Sequence, residues 1–337
     1  MFSRIRSTFA FVFIVLAIAA SLPIVGIAQA QTDQTAANKA AAALLLEVMS
    51  DAARLDEFDS YVSEDFAVHI AGSTLDWAAM KGGAAGVLAA MPDLRYTPLI
   101  LVAEGNYVGM RYEFAGTFTN PMANFDGTMS DPTGEPVVLY SNAILTFTDD
   151  GKLAGYQEIF DTLSFAAQLG QFPAPEGMIP PVIEIDPAVW TLQATTAEFT
   201  AALKDRLLTA NLAAYDQGDL DALDAAYAPD FTSYVGSASD LAGTKAGIAA
   251  LRAAMPDMVS TNDTLIAEGN WVVYRWTASG TFTGGFDMAG MVVPPTNQPL
   301  FIEGIAVAFA NEDGLIAGEW SEIDNMTILA QMGMLGQ

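Results

Sequence analysis

Residues 89–119 read AAMPDLRYTPLILVAEGNYVGMRYEFAGTFT, and residues 253–283 read AAMPDMVSTNDTLIAEGNWVVYRWTASGTFT, with 17 identities in 31 ungapped positions. The match continues outward after one single-residue indel. Pro132-Thr133 returns as Pro295-Thr296, Asp150-Gly151 as Asp313-Gly314, Asp161 as Asp324, and Gln168-Leu169-Gly170 as Gln331-Met332-Gly333. Toward the N-terminus, Leu55-Asp56 and Asp65-Phe66 return as Leu220-Asp221 and Asp230-Phe231. A fixed-period self-similarity of this extent is a tandem duplication of a unit of about 130 residues. Between the copies, QFPAPEGMIPPVIEIDPAVW (171–190) holds five prolines and reads as an extended, semi-rigid spacer. The domains are therefore 36–170 and 191–335.

Each copy places helices before strands. Ala36–Ala53 and Thr195–Gln217 are Ala/Leu-rich with helical spacing, and Gly218-Asp219 offers a C-cap to the second. A short helix follows (Asp56–Val62; Asp221–Tyr227), then an extended segment with His69 or Tyr234, then a helix at 76–90 or 241–254 stopped by Pro92 or Pro256. Four strand-like stretches complete the copy, the last two turning at Asp150-Gly151 or Asp313-Gly314, a hairpin signal. Helices segregated from a sheet give an α+β class.

Composition narrows the function classes. Of 337 residues none is Cys and one is His, so disulfide scaffolds, Cys-ligated metal centres, thiol nucleophiles and poly-His metal sites are excluded. The balance of 13 Lys+Arg against 40 Asp+Glu gives a formal charge of −27, which repels nucleic acid and anionic membrane surfaces. No P-loop, dinucleotide fingerprint or G-x-S-x-G elbow is present. At the N-terminus, Arg4 and Arg6 precede the apolar run Phe9–Ala20 and then Ala28-Gln29-Ala30, the pattern of a signal peptide over 1–30. The expectation is export, to periplasm or exterior, after cleavage at Ala30.

The second copy carries a family likeness. Gly218-Asp219-Leu220-Asp221, Ala228-Pro229-Asp230-Phe231, Met255-Pro256-Asp257, Ala267-Glu268-Gly269-Asn270, Arg275-Trp276, Gly280-Thr281-Phe282-Thr283-Gly284, Pro295-Thr296, Asp313-Gly314, Trp320, Asp324 and Gln331-Met332-Gly333 follow in order. Together they resemble the SnoaL-like polyketide cyclase (ester cyclase) family, of the nuclear-transport-factor-2-like superfamily. The first copy is a weaker match. The resemblance implies two tandem cone-shaped domains, each a curved antiparallel sheet packed with about three helices around a pocket. It also implies an intramolecular aldol cyclisation without cofactor or metal, on a small apolar carbonyl compound. By position the family's acid/base carboxylate falls on Asp324 and Asp161. Sheets of this family commonly pair, so a homodimer or an internal pairing of the two copies is expected.

Both aspartates sit among apolar neighbours, where a carboxyl loses hydration and exchanges protons nearer neutral pH; capping a short terminal helix is the alternative role. Arg275 and Arg111 are basic residues in a chain with few, candidates to polarise a carbonyl, or equally members of structural ion pairs. His69, the aligned Tyr234, Tyr215 on the first helix of copy two, and Trp320 are further pocket candidates. Phe118 and Phe282 stand where the family commonly has His, giving a drier lining suited to apolar ligands. Three readings remain open on these residues: a cofactor-free enzyme, a non-catalytic small-ligand binder, and an interaction module.

Overall fold

The computed structural model describes residues 32–70, 73–123, 128–171, 187–235, 237–288 and 291–334. The expected signal segment, its cleavage site and most of the proline-rich spacer lie outside the described residues. Among the described residues no helix is long and apolar enough to cross a membrane.

The first domain runs α1 (32–49), a 3-10 turn (Leu55–Tyr61), β1 (Val62–Ile70), β2 (Ser73–Leu75), α2 (Trp77–Ala90), β3 (Arg95–Glu104) and β4 (Tyr107–Thr117). It continues with the small hairpin β5 (Met122–Ala123) and β6 (Met129–Ser130), then β7 (Pro136–Phe147), β8 (Leu153–Ile159) and α3 (Thr162–Gln168). The second domain repeats this order. It comprises α4 (Ala197–Leu212), β9 (Tyr227–Val235), β10 (Ser237–Ser239), α5 (Leu241–Ala254), β11 (Val259–Glu268) and β12 (Trp271–Thr281). There follow β13 (Phe286–Met288), β14 (Met291–Val293), β15 (Pro299–Ala310), β16 (Ile316–Ile323) and α6 (Asn325–Gln331).

The repeated motifs act locally as the sequence requires. Asp76 and Asp240 cap α2 and α5, each accepting a backbone N–H at 2.8 Å, and both helices stop ahead of Pro92 and Pro256. Asp93 and Asp257, from the Met-Pro-Asp repeats, each accept the backbone N–H and the hydroxyl of Thr117 or Thr281. This staples the segment after the helix to the far end of β4 or β12. Helix α4 passes into one π-helical turn (Ala213–Gln217), closed by Gly218 at φ 76°.

The sheets have orders β2-β1-β8-β7-β4-β3 and β10-β9-β16-β15-β12-β11. One pairing departs from a wholly antiparallel sheet: β1 runs parallel to β8, and β9 to β16. The last strand returns beside the first in the same direction, a geometry reached only through a crossover. Alternation along β4 sends Val108, Met110, Tyr112 and Phe114 into the cone. Gly109 and Arg111 face the other way.

The outward faces of the two sheets pack on each other. Ile100, Val102, Ile144 and Ile159 meet Ile266, Trp271, Val273, Ile305, Val307 and Trp320 in one buried cluster. Trp190, at the end of the spacer, enters the same cluster with ring centroids 4.4 Å from Trp320 and 5.7 Å from Trp271. A Cβ on Gly109 would stand 2.5 Å from that of Val273, so glycine is what allows the sheets this close.

Candidate functional site

The second cone encloses a cavity of about 300 Å³ between α5 and the inner face of the sheet. Alternation on β16 sends Glu319, Ser321 and Ile323 into it, while Trp320 and Glu322 point outward. Glu319 is buried, and its Oε2 accepts the Tyr274 hydroxyl at 2.6 Å. Tyr227, whose hydroxyl donates to Asn211 at 3.1 Å, stands beside the same carboxyl. Burial pushes the Glu319 carboxyl above the ordinary glutamate range, against the lowering effect of the two tyrosines. Trp276 forms part of the wall, its indole N–H donating to Ser321 at 2.9 Å. On the helix side Gly247 has open space where a Cβ would be. Among the described residues the lining contains Ser, Thr, Asn, Tyr and Trp but no Lys, Arg or His. Such a site offers neutral hydrogen-bonding groups, one ionisable acid and an aromatic wall.

In the first cone large rings occupy the corresponding space. Tyr96 stands where copy two has Ser260, Tyr112 where it has Trp276, and Phe114 where it has Ala278. Tyr96 meets Phe114 edge-on at 5.3 Å and Tyr112 at 5.8 Å, and Phe114 meets Phe165 at 5.9 Å. A half-buried carboxyl is present here too: Glu158 accepts from Tyr112 and is also hydrogen-bonded by Ser141 and Tyr156, and desolvation raises it above the ordinary glutamate range. The two acids are not at aligned positions. Glu158 aligns with Ser321, and Tyr156 with Glu319, so the tyrosine–carboxyl pair has moved one rung along the sheet between copies.

The residues singled out by sequence fall in five places. Tyr215 lines the cavity, carried there by the π-helical turn, with burial raising its hydroxyl. Asp161 and Asp324 lie outside it, as N-caps of α3 and α6, each accepting the N–H two residues on at 3.2 Å. Their remaining oxygens are also engaged: Asp161 accepts Ser164, and Asp324 accepts Thr327 and, across the domains, Thr162. Burial raises the Asp161 carboxyl. The carboxyl that faces the cavity inside the second cone is thus Glu319 of mid-β16, five residues before Asp324.

Arg111, Tyr234 and Trp320 lie on the outward face, between the sheets. Arg111 is buried and paired with Glu322 at 2.7 Å, and Tyr234 stacks on Trp320 at 4.8 Å and 3°. Arg275 is also outward, paired with Asp263 and with Glu303 at 2.9 Å rather than with Glu268. Its strand alternation puts it opposite the cavity-facing Tyr274. Arg275, Asp324 and His69 border a separate groove of about 350 Å³ at the domain seam, where His69 Nδ1 lies 2.9 Å from the Thr74 hydroxyl. Phe118 and Phe282 are fully buried core residues. Among the described residues no three acidic or histidine side chains converge as a metal site.

Sequence reasoning missed Glu319, Tyr274 and Tyr227, and in copy one Glu158 with Tyr112. The available signal was alternation: once Trp320 is outward, the acid beside it must face the cone. The shifted register hid it, because neither glutamate recurs in the other copy.

The sequence model of SnoaL-like polyketide cyclases matches residues 39–169 and 205–332, most of the chain. Among solved structures, AclR of Streptomyces galilaeus is 23% identical over 41% of this chain and 85% of its own, with a TM-score of 0.36. TsrD of Streptomyces laurentii is 26% identical over 42% and 99%, with a TM-score of 0.36. IdmH of Streptomyces antibioticus is 27% identical over 39% and 98%, with a TM-score of 0.33. No curated protein matches. The double match of the family's sequence model, laid over two cones of the same strand order, makes this chain a member of the SnoaL-like polyketide cyclase family in two tandem copies.

Proposed function

We propose that the second domain binds a small, uncharged carbonyl compound and moves a proton on it through Glu319, in an intramolecular cyclisation of the aldol type. The observation that carries this is the buried Glu319 carboxyl in an open cavity, hydrogen-bonded to Tyr274 at 2.6 Å. Burial raises the Glu319 carboxyl above the ordinary glutamate range, which makes its carboxylate a stronger base than a solvated one. As carboxylate it removes a proton from the carbon beside a carbonyl. The enolate carbon then bonds to a second carbonyl carbon of the same molecule, and the proton returns to the new alkoxide oxygen. Tyr274 and Tyr227 hold the acid, while Ser, Thr and Asn groups around the wall fix the ligand's oxygens. The absence of a lining cation, beside an acid, disfavours anionic ligands. The first domain, its cone filled by Tyr96, Tyr112 and Phe114, has a supporting role. Export with cleavage at Ala30 belongs to the same proposal, supported by Arg4, Arg6 and the apolar run after them.

The test begins with native mass spectrometry of mature protein from its own host, to identify what co-purifies. With that compound in hand, Glu319→Gln is expected to lower turnover by about 10²–10⁴-fold, the usual worth of an acid/base group. Glu158→Gln is expected to leave turnover in place. Retention of full turnover by Glu319→Gln defeats the proposal. A retained ligand that neither protein converts makes the second domain a binder.

A further inference from the structure

Among the apolar side chains buried between the two sheets lies a polar network, and it is one-sided. Arg111 of β4 is 4% exposed and Asn142 of β7 is 0% exposed. Arg111 Nη1 donates to Asn142 Oδ1 at 2.8 Å and to Glu322 Oε1 of the second domain at 2.7 Å. Asn142 Nδ2 donates across the interface to the carbonyl oxygens of Ile305 and Trp320, at 2.7 and 2.9 Å. Trp320 is the neighbour of Glu319 in the chain, and Glu322 lies three residues beyond. The first domain therefore grips, at backbone and at side chain, the strand whose opposite face carries the acid.

Packing does not demand polar groups here. In the aligned positions of the other copy, Asn142 is matched by Ile305 and Glu322 by Ile159, both buried in the same interface. Isoleucine fills those places. A buried polar network persists at a cost unless each member is satisfied, and its distinctive gain is a fixed register. The grip also runs in one direction. Arg275, the counterpart of Arg111, pairs with Asp263 and Glu303 of its own domain. The domain with the filled cone holds the strand of the domain with the open one.

We propose that Asn142 and Arg111 are positioning residues for Glu319, so that the working site in the second domain is completed by the first. This rests on Glu319 as the acid of that site. A strand released from the clamp lets the Glu319–Tyr274 pair loosen and water reach the carboxyl, which then titrates lower.

The experiment is a pH titration of the mature chain followed by carboxyl ¹³C NMR on labelled glutamate, with Glu319 and Glu158 assigned through Glu319→Gln and Glu158→Gln. In Asn142→Leu the Glu319 midpoint is expected to fall by about one pH unit. The Glu158 midpoint, on the first domain's own β8, is expected to stay. An unmoved Glu319 midpoint in the folded variant overturns the proposal. If Asn142→Leu does not fold, Arg111→Met is titrated instead, and the same two outcomes decide. A wild-type Glu319 midpoint in the ordinary glutamate range overturns the functional reading itself, and the clamp with it.

Discussion

Glu104 and Glu268, equivalent residues of the two copies, exchange places at the domain seam. Glu104 Oε2 accepts the backbone N–H of Ala267 at 2.9 Å, and Glu268 Oε2 accepts that of Ala103 at 2.7 Å. Each glutamate is held by a lysine of the other domain, Lys204 on Glu104 and Lys39 on Glu268, both at 2.7 Å. The swap is what a two-fold relation between the copies requires. It also satisfies N–H groups on β3 and β11, the outermost strands of their sheets.

Removing one half of this exchange costs stability modestly, since both carboxylates are partly solvated. Glu268→Ala is expected to lower unfolding free energy by about 1 kcal/mol. Urea unfolding, in low salt and again in high salt, measures it. The lysine contribution is expected to shrink as salt rises, and the N–H contribution to remain.

Close approach of the sheets at Gly109 makes a sharper prediction. Gly109→Ala is expected to destabilise by about 1–3 kcal/mol, because its Cβ meets the Val273 side chain. Val273→Ala in the same chain removes the obstructing methyls and is expected to recover part of that loss. A double-mutant cycle of melting curves reads the coupling.

Stability should decline as pH rises from the acid side. Glu158, Glu319, Glu322 and Asp161 are all raised by burial, so above their unfolded values (4.5 for Glu, 3.8 for Asp) the native state holds protons the unfolded chain has lost. Their contribution is fully present below those values and is lost as pH climbs through the raised native ones. The melting temperature is expected to fall with pH across that window, and Glu158→Gln to flatten the fall.

Opening the first cone should convert it toward the second. Phe114→Ala, the residue found at 278, is expected to cost about 3–5 kcal/mol and to leave a cavity beside Tyr96. A small apolar probe such as benzene is expected to bind the variant and not the parent first domain, seen as probe-dependent shifts of Tyr96 and Phe165 resonances.

Export has a direct check. N-terminal sequencing of the protein recovered outside the cytoplasm is expected to begin at Gln31.

Much of the fold was legible because the repeated motifs are structural. Asp93 and Asp257 bind Thr117 and Thr281, and Gly105 and Gly269 turn the β3–β4 and β11–β12 hairpins at φ 58° and 60°. Recurrence therefore marked staples and turns, and it drew attention to Asp161 and Asp324, which recur because both copies cap a short terminal helix. The acid facing the cavity did not recur, since the carboxyl sits at 158 in one copy and 319 in the other. Arg275 faces away from Tyr274 and Trp276, as strand alternation requires. That the outward face is the buried seam follows from long-range packing, which one-dimensional pattern does not encode.

The tryptophan that ends the spacer sets an order of events. A chain emerging N-terminus first completes β3, β4 and β7 well before Trp190, Trp271 and Trp320 are available to cover them. At ordinary synthesis rates the last of these follows the end of the first domain by roughly 8–30 s. For that interval Ile100, Val102, Ile144 and Ile159 stand uncovered on a folded sheet. Arg111, later buried against Glu322, is then a charge standing in that bare face, a gatekeeper until its partner arrives.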